Sequence, residues 1–244
     1  MVTLNPNQGP TSGGNQVVIT GTNFARATGV KFGSKSATFT IDSATQITAV
    51  APSNNAAVQV VVTAPGGGSS PGWYYYIPPP SKSGLSSTVG PLNGIPVTLT
   101  GASLQTATSM SFGANTAVPT AVNDTTLNVQ VPPVTTPQTV PVSVTTMGGT
   151  TNGLTFTYVG APTVTSMSPT TGPDYGGTAS TIIGTNLSDV VDVSYGPDSC
   201  AYNIIDDTTI VAYSSGGTGT VTVTVTSVGG SDSSQSFAYV SSPG

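Results

Sequence analysis

The chain has 244 residues, with four Lys+Arg, nine acidic residues that are all Asp, no His and a net charge of −5. Without His, and with Cys200 as its one cysteine, it lacks the usual partners for nucleophilic or general-base catalysis, and no disulfide can form within it. So few cations leave no phosphate-binding footprint, and no run reaches the ~20 apolar residues of a membrane span, so neither nucleic acid nor membrane insertion is expected.

In chain order, Val2–Pro6 and the Pro/Gly-rich stretch 7–14 read as a broken first edge strand. Strands follow at Gln16–Gly21, Gly29–Gly33, Ala37–Ile41 and Gln46–Pro52, with a turn at 42–45. The stretch Val58–Gly67 then alternates β-branched with small or polar residues and stops at a Gly-Gly pair. Trp73–Ile77 closes this first set of about seven short strands, the pattern of a small sandwich. No window sustains a helical spacing free of Gly, Pro and Thr.

The set recurs. Val58–Gly67 returns as Val140–Gly149 and Val221–Gly230, so the glycine pairs stand 82 and 81 residues apart. Tyr76, Tyr158 and Tyr239 keep the same intervals. Three all-β domains are expected at 1–78, 79–160 and 161–240, arranged as beads on a rod. The linker Ile77–Gly84 is proline-rich and reads as extended, and the one around Tyr158–Pro162 is short. Charge is uneven: Arg26, Lys31 and Lys35 against Asp42 give the first domain +2, while seven Asp and no base give the third −7. An acidic solvated face explains the gradient, and oriented head-to-tail packing is the sharper alternative.

Domain three carries Met167-Ser-Pro-Thr-Thr-Gly-Pro173, Ile183-Gly-Thr-Asn186 and Phe237-Ala-Tyr239, with matching landmarks in the other two. This ordered set resembles the IPT/TIG immunoglobulin-like family across nearly the whole chain. The resemblance implies three tandem β-sandwiches. Domain two departs at Gly94-Ile95, where Gly-Gly is expected, and at Gly101-Ala-Ser103, where Gly-Thr-Asn is expected, so a reshaped loop end is expected there. The Asn of Gly-Thr-Asn is read as hydrogen-bonding its own turn, and the final Tyr as plugging the core with its hydroxyl on a backbone partner.

No catalytic residue, cofactor site or metal site is assigned. Asp189, Asp192, Asp198, Asp206 and Asp207 are near in sequence and could hold Ca²⁺, but the reading adopted places them in turns. Cys200 reads as a small buried hydrophobe. In Trp73-Tyr-Tyr-Tyr76 alternation must push some rings outward, either as ordinary exposed aromatics or as a protein or carbohydrate contact. Met1 followed directly by a strand, with no export signal or anchor, points to a non-catalytic virion decoration protein on a capsid or tail surface. The expected partner is then a protein of that assembly. The alternative is a secreted bacterial adhesin or carbohydrate-binding accessory with a cell-surface glycan as partner, and a weaker one is a domain array from a larger extracellular enzyme.

Overall fold

A computed structural model describes residues 1–241. Among them the regular structure is strand throughout apart from one 3₁₀ turn, Phe24–Arg26, and no helix is long and apolar enough to cross a membrane. The first copy contains β1 (Thr3–Asn5), β2 (Gln8–Pro10), β3 (Gln16–Thr20), β4 (Gly29–Phe32), β5 (Lys35–Ile41), β6 (Gln46–Val50), β7 (Val58–Ala64), β8 (Gly67–Gly68) and β9 (Gly72–Ile77). Their hydrogen-bonded order is β1-β3-β6-β5-β4-β7-β9-β2, with β8 on β7. β1 runs antiparallel to β3, and β2 runs parallel to β9 in the other sheet, so the first strand changes sheets between them. That crossing holds the cis peptide Asn5–Pro6, and the third copy has Ser168–Pro169 at the same place.

The period of two decides what is buried. On β3, Val17 and Ile19 face inward; on β9, Gly72, Tyr74 and Tyr76 do. With Phe24, Val30, Phe32, Ile47, Val60 and Val62 they form one core, each large side chain contributing about 1.5–3 kcal/mol by leaving water. Phe32 and Tyr74 meet edge to face at 5.1 Å, as do Tyr195 and Phe237 at 5.2 Å in the third copy.

β5 distinguishes the first copy. Its Lys35–Ala37 half pairs with β4 and its Thr38–Ile41 half with β6, which ties both sheets into one ladder. The second copy breaks this strand between Asn115–Ala117 and Thr120–Asn123, at Val118-Pro119, where proline has no N–H to give. The third breaks it at Cys200, between Asp198–Ser199 and Ala201–Asp206. Both later copies therefore consist of a four-stranded and a five-stranded sheet.

The glycine landmarks have separable causes. Gly13, Gly94 and Gly176 all adopt positive φ (71°, 74° and 82°), and each N–H donates to the carbonyl of the proline three residues back. A Cβ on Gly13 would also meet the Ala51 carbonyl and the Pro52 backbone at 2.6 Å. The second glycine is looser. Gly14 and Gly177 have open space around them, and Ile95 takes the later position in domain two and packs over Gly90, as Asn15 covers Gly9 and Thr178 covers Gly172. The expected change in domain two is thus one side chain filling space that the other copies fill one residue later.

The first linker departs from expectation. Ser81 already begins the strand Ser81–Leu85, which pairs antiparallel with Pro96–Ala102, so the free stretch is shorter than Ile77–Gly84. Pro80 and Pro162 are both buried. Alternation of polar and small residues in Ser81-Lys-Ser-Gly84 hid a strand whose inward face is only half-buried.

Candidate functional site

The alternation on β9 that buries Tyr74 and Tyr76 turns Trp73 and Tyr75 to solvent, 49% and 45% exposed. The two lie about 7 Å apart along the strand, close enough to share one ligand. Pairing sets their neighbours. Gln59 on β7 stands opposite Trp73, and Gln8 on β2 opposite Tyr75. Gln59 is exposed, while the Gln8 amide donates to the sulfur of Met147 at 2.8 Å. Lys31 on β4, paired with Val61 of β7, lies on the same outer side.

The other copies show that the fold does not require these rings. Phe156 and Tyr158 are buried in the second copy and Phe237 and Tyr239 in the third, matching Tyr74 and Tyr76. The alternate positions are then Thr155 and Thr157, and Ser236 and Ala238. Sequence reading found Trp73 and Tyr75 but missed the glutamines. Counting outward from Gly66 at the hairpin turn pairs Gln59 with Trp73 and would have found one; Gln8 depends on a parallel pairing that has no local mark.

The acidic residues behave differently. Asp207 accepts from the Ser188 hydroxyl at 2.8 Å and its N–H at 3.3 Å, and these bonds hold its carboxyl below the ordinary value. In the second copy the Asp124 carboxylate accepts from the N–H groups of Ser103 and Gln105. Asp206 accepts from the hydroxyl and N–H of Thr208, both at 2.7 Å, which lowers its pKa. Asp189 and Asp198 are exposed and Asp192 is half-buried. Among the described residues no three His, Cys, Asp or Glu side chains gather as a metal-binding group.

Two readings of single residues change. Asn23 and Asn186 sit at positive φ (64° and 56°), and Ser103 takes that conformation (57°) in domain two. Asn186 donates its amide to the Ala161 carbonyl at 2.9 Å, outside its own turn, so tolerance of this backbone conformation is what the position demands. Cys200 is half-buried, and burial pushes its thiol up to about 11, an unreactive state at neutral pH.

No curated protein matches the chain. Among solved structures, the full extracellular region of plexin A4 is 20% identical over 87% of this chain, with a TM-score of 0.47, and this chain covers 20% of its length. SGBP-B from a complex xyloglucan utilization locus in Bacteroides uniformis is 21% identical over 78% of this chain and 62% of its own, with a TM-score of 0.34. The Escherichia coli adhesin FdeC is 12% identical over 99% and 96%, with a TM-score of 0.39. The IPT/TIG domain model matches residues 1–76, 80–158 and 162–240. The chain therefore belongs to the IPT/TIG domain family, as three immunoglobulin-like copies in tandem.

Proposed function

We propose that the chain is a non-catalytic surface-binding module, an adhesin or carbohydrate-binding accessory, and that the outer face of β9 in its first domain carries the contact. One observation supports this reading most: Trp73 and Tyr75 stand exposed where the sister copies hold Thr155 and Thr157, and Ser236 and Ala238. An aromatic face offers an apolar platform for the C–H side of a sugar ring, and the Gln59 amide beside it can exchange hydrogen bonds with hydroxyls. No acid lies on the strands β4, β7 and β9 that form this face, which suits an uncharged ligand. A virion decoration role, the other expectation, draws no support from any side chain described above.

Affinity electrophoresis against a panel of neutral polysaccharides tests the reading. The wild-type chain should be retarded by at least one of them, and W73T/Y75T should lose at least about ten-fold in affinity, the effect of removing an aromatic anchor. A chain that no polysaccharide retards would remove the carbohydrate reading and send the same variant to a screen of surface proteins.

A further inference from the structure

The face that carries Trp73 and Tyr75 does not stop at the edge of its own domain. Gln8, opposite Tyr75 on β2, keeps its side chain on the same outer side of the sheet, and its amide meets the sulfur of Met147. Met147 belongs to the second copy, as the residue before the glycine pair Gly148-Gly149 of its hairpin. That hairpin is fixed from several sides. A Cβ on Gly148 would strike the carbonyl of Pro78, just beyond β9, and one on Gly149 would lie 3.8 Å from the Pro79 Cβ. The Met147 N–H donates to the Thr106 hydroxyl at 3.3 Å, and the Gly148 N–H to the Thr146 hydroxyl at 3.1 Å. Met147 is only half-buried, so part of its side chain stays open to solvent.

Joining two copies does not by itself call for these residues. Between the second and third copies the glycine contact recurs, with Gly229 against the Gly160 carbonyl, but the residue before it is Val228, 42% exposed. There Val89 takes the position of Gln8 and Thr157 that of Tyr75, paired in the same parallel register. The glycine contact is thus common to both junctions. The amide and thioether pair stands only at the junction that borders the exposed aromatics.

We propose that Gln8 and Met147 are part of the carbohydrate contact, so that one linear, neutral oligosaccharide lies across the first two copies; this rests on the reading of Trp73 and Tyr75 as that contact. The order across the sheet is Gln59 on β7, Trp73 and Tyr75 on β9, then Gln8 on β2, with Met147 against the last of them. Strand rise and spacing make the diagonal from Gln59 to Gln8 about 12 Å. A single sugar ring covers only a fraction of that length, so the site suits several sugars of one chain and not a terminal sugar alone. All five side chains are uncharged, which favours neutral sugars. A thioether is apolar, polarisable and free to change rotamer, so Met147 can pack on the ring that reaches it, while the Gln8 amide oxygen can accept from a hydroxyl. A ligand that touches both copies binds more tightly when their junction is held, and holds the junction in return.

Calorimetric titration of the whole chain tests the proposal, with oligosaccharides from disaccharide to hexasaccharide cut from a neutral polysaccharide that retards the wild type. Met147→Val and Gln8→Val give the first junction the residues that the second already holds at these positions, Val228 and Val89. Wild-type affinity should rise at least about ten-fold from the shortest to the longest ligand. In each variant that gain should shrink to less than about three-fold with disaccharide affinity unchanged, whereas W73T/Y75T should bind weakly at every length. A wild-type length dependence in both variants, beside weak binding by W73T/Y75T, would overturn this proposal and leave the aromatic contact standing. Undiminished binding by W73T/Y75T, or a wild type that no polysaccharide retards, would overturn both.

Discussion

The hydroxyl of Tyr158 donates to the carbonyl of Pro132, 26 residues upstream, at 2.7 Å. Tyr76 makes the same bond to Pro52 at 2.6 Å and Tyr239 to Ser215 at 2.7 Å. Each ties the last strand of a copy to the loop that follows β6 or its counterpart, and each ring also packs on the aromatic two residues before it at 5.0 to 5.2 Å. Replacing Tyr158 by Phe keeps the ring and removes the bond. The expected cost is about 1 kcal/mol, read as a lower urea midpoint with an unchanged slope.

The aromatics on the outer face should separate from the fold. W73T/Y75T gives the first copy the residues that the second already carries at these positions. Its thermal stability should stay within about 1 kcal/mol of wild type, since only cross-strand pair contacts are exchanged. A large loss of stability would mean that the rings serve the sheet and not a ligand.

The two glycines of the first turn should not be equivalent. Gly13→Ala adds a side chain at a positive φ and against the backbone of Ala51 and Pro52, and should cost about 2 kcal/mol or more. Gly14→Ala meets the same conformational penalty in open space, so about 1 kcal/mol is expected. Denaturant unfolding of the two variants side by side measures the difference.

Tyr195 occupies the position of Phe32 and Phe112, and its buried hydroxyl has no hydrogen-bond partner among the described residues. Ser180 is nearby, but it donates to the Pro169 carbonyl at 2.7 Å. Removing an unsatisfied buried hydroxyl relieves a desolvation cost, so Tyr195→Phe should stabilise the chain by about 1 kcal/mol. A drop in melting temperature for this variant would show that the hydroxyl is satisfied after all.

Asp207 should make the third copy acid-sensitive. Its folded pKa is depressed below 3.8, first by the Ser188 side-chain bond and then by the Ser188 N–H. A depressed carboxyl pKa contributes stability that is present above the unfolded value and is lost as pH falls through the folded one. The protection factor of the Leu187 amide, which donates to the Asp207 carbonyl, should therefore fall below pH 3.8, and less so in Asp207→Ala, which has already lost the carboxylate.

Much of this fold is legible because period-two burial and glycine turns are written locally. Val17 and Ile19 against Gln16 and Thr20, or Tyr74 and Tyr76 against Trp73 and Tyr75, are assigned to faces by alternation alone. The tyrosine bond to a backbone carbonyl also follows from a buried ring with a polar tip. What escaped was non-local. The strand Ser81–Leu85 is recognisable only by its pairing with Pro96–Ala102, and Gln8 meets Tyr75 only through a parallel ladder. Asn186 looked like a turn residue because its partner, the Ala161 carbonyl, lies in the linker 25 residues earlier.

The break at Cys200 gives the third copy a property the others lack. The chain's one sulfhydryl lies where the crossing strand leaves one sheet for the other, with its N–H on the Val193 carbonyl at 2.8 Å. A thiol reagent added to the intact protein can react only there, at a side chain that is half-buried. Its rate of incorporation thus reports on one sandwich among three, with no label to be engineered and no signal from the other two.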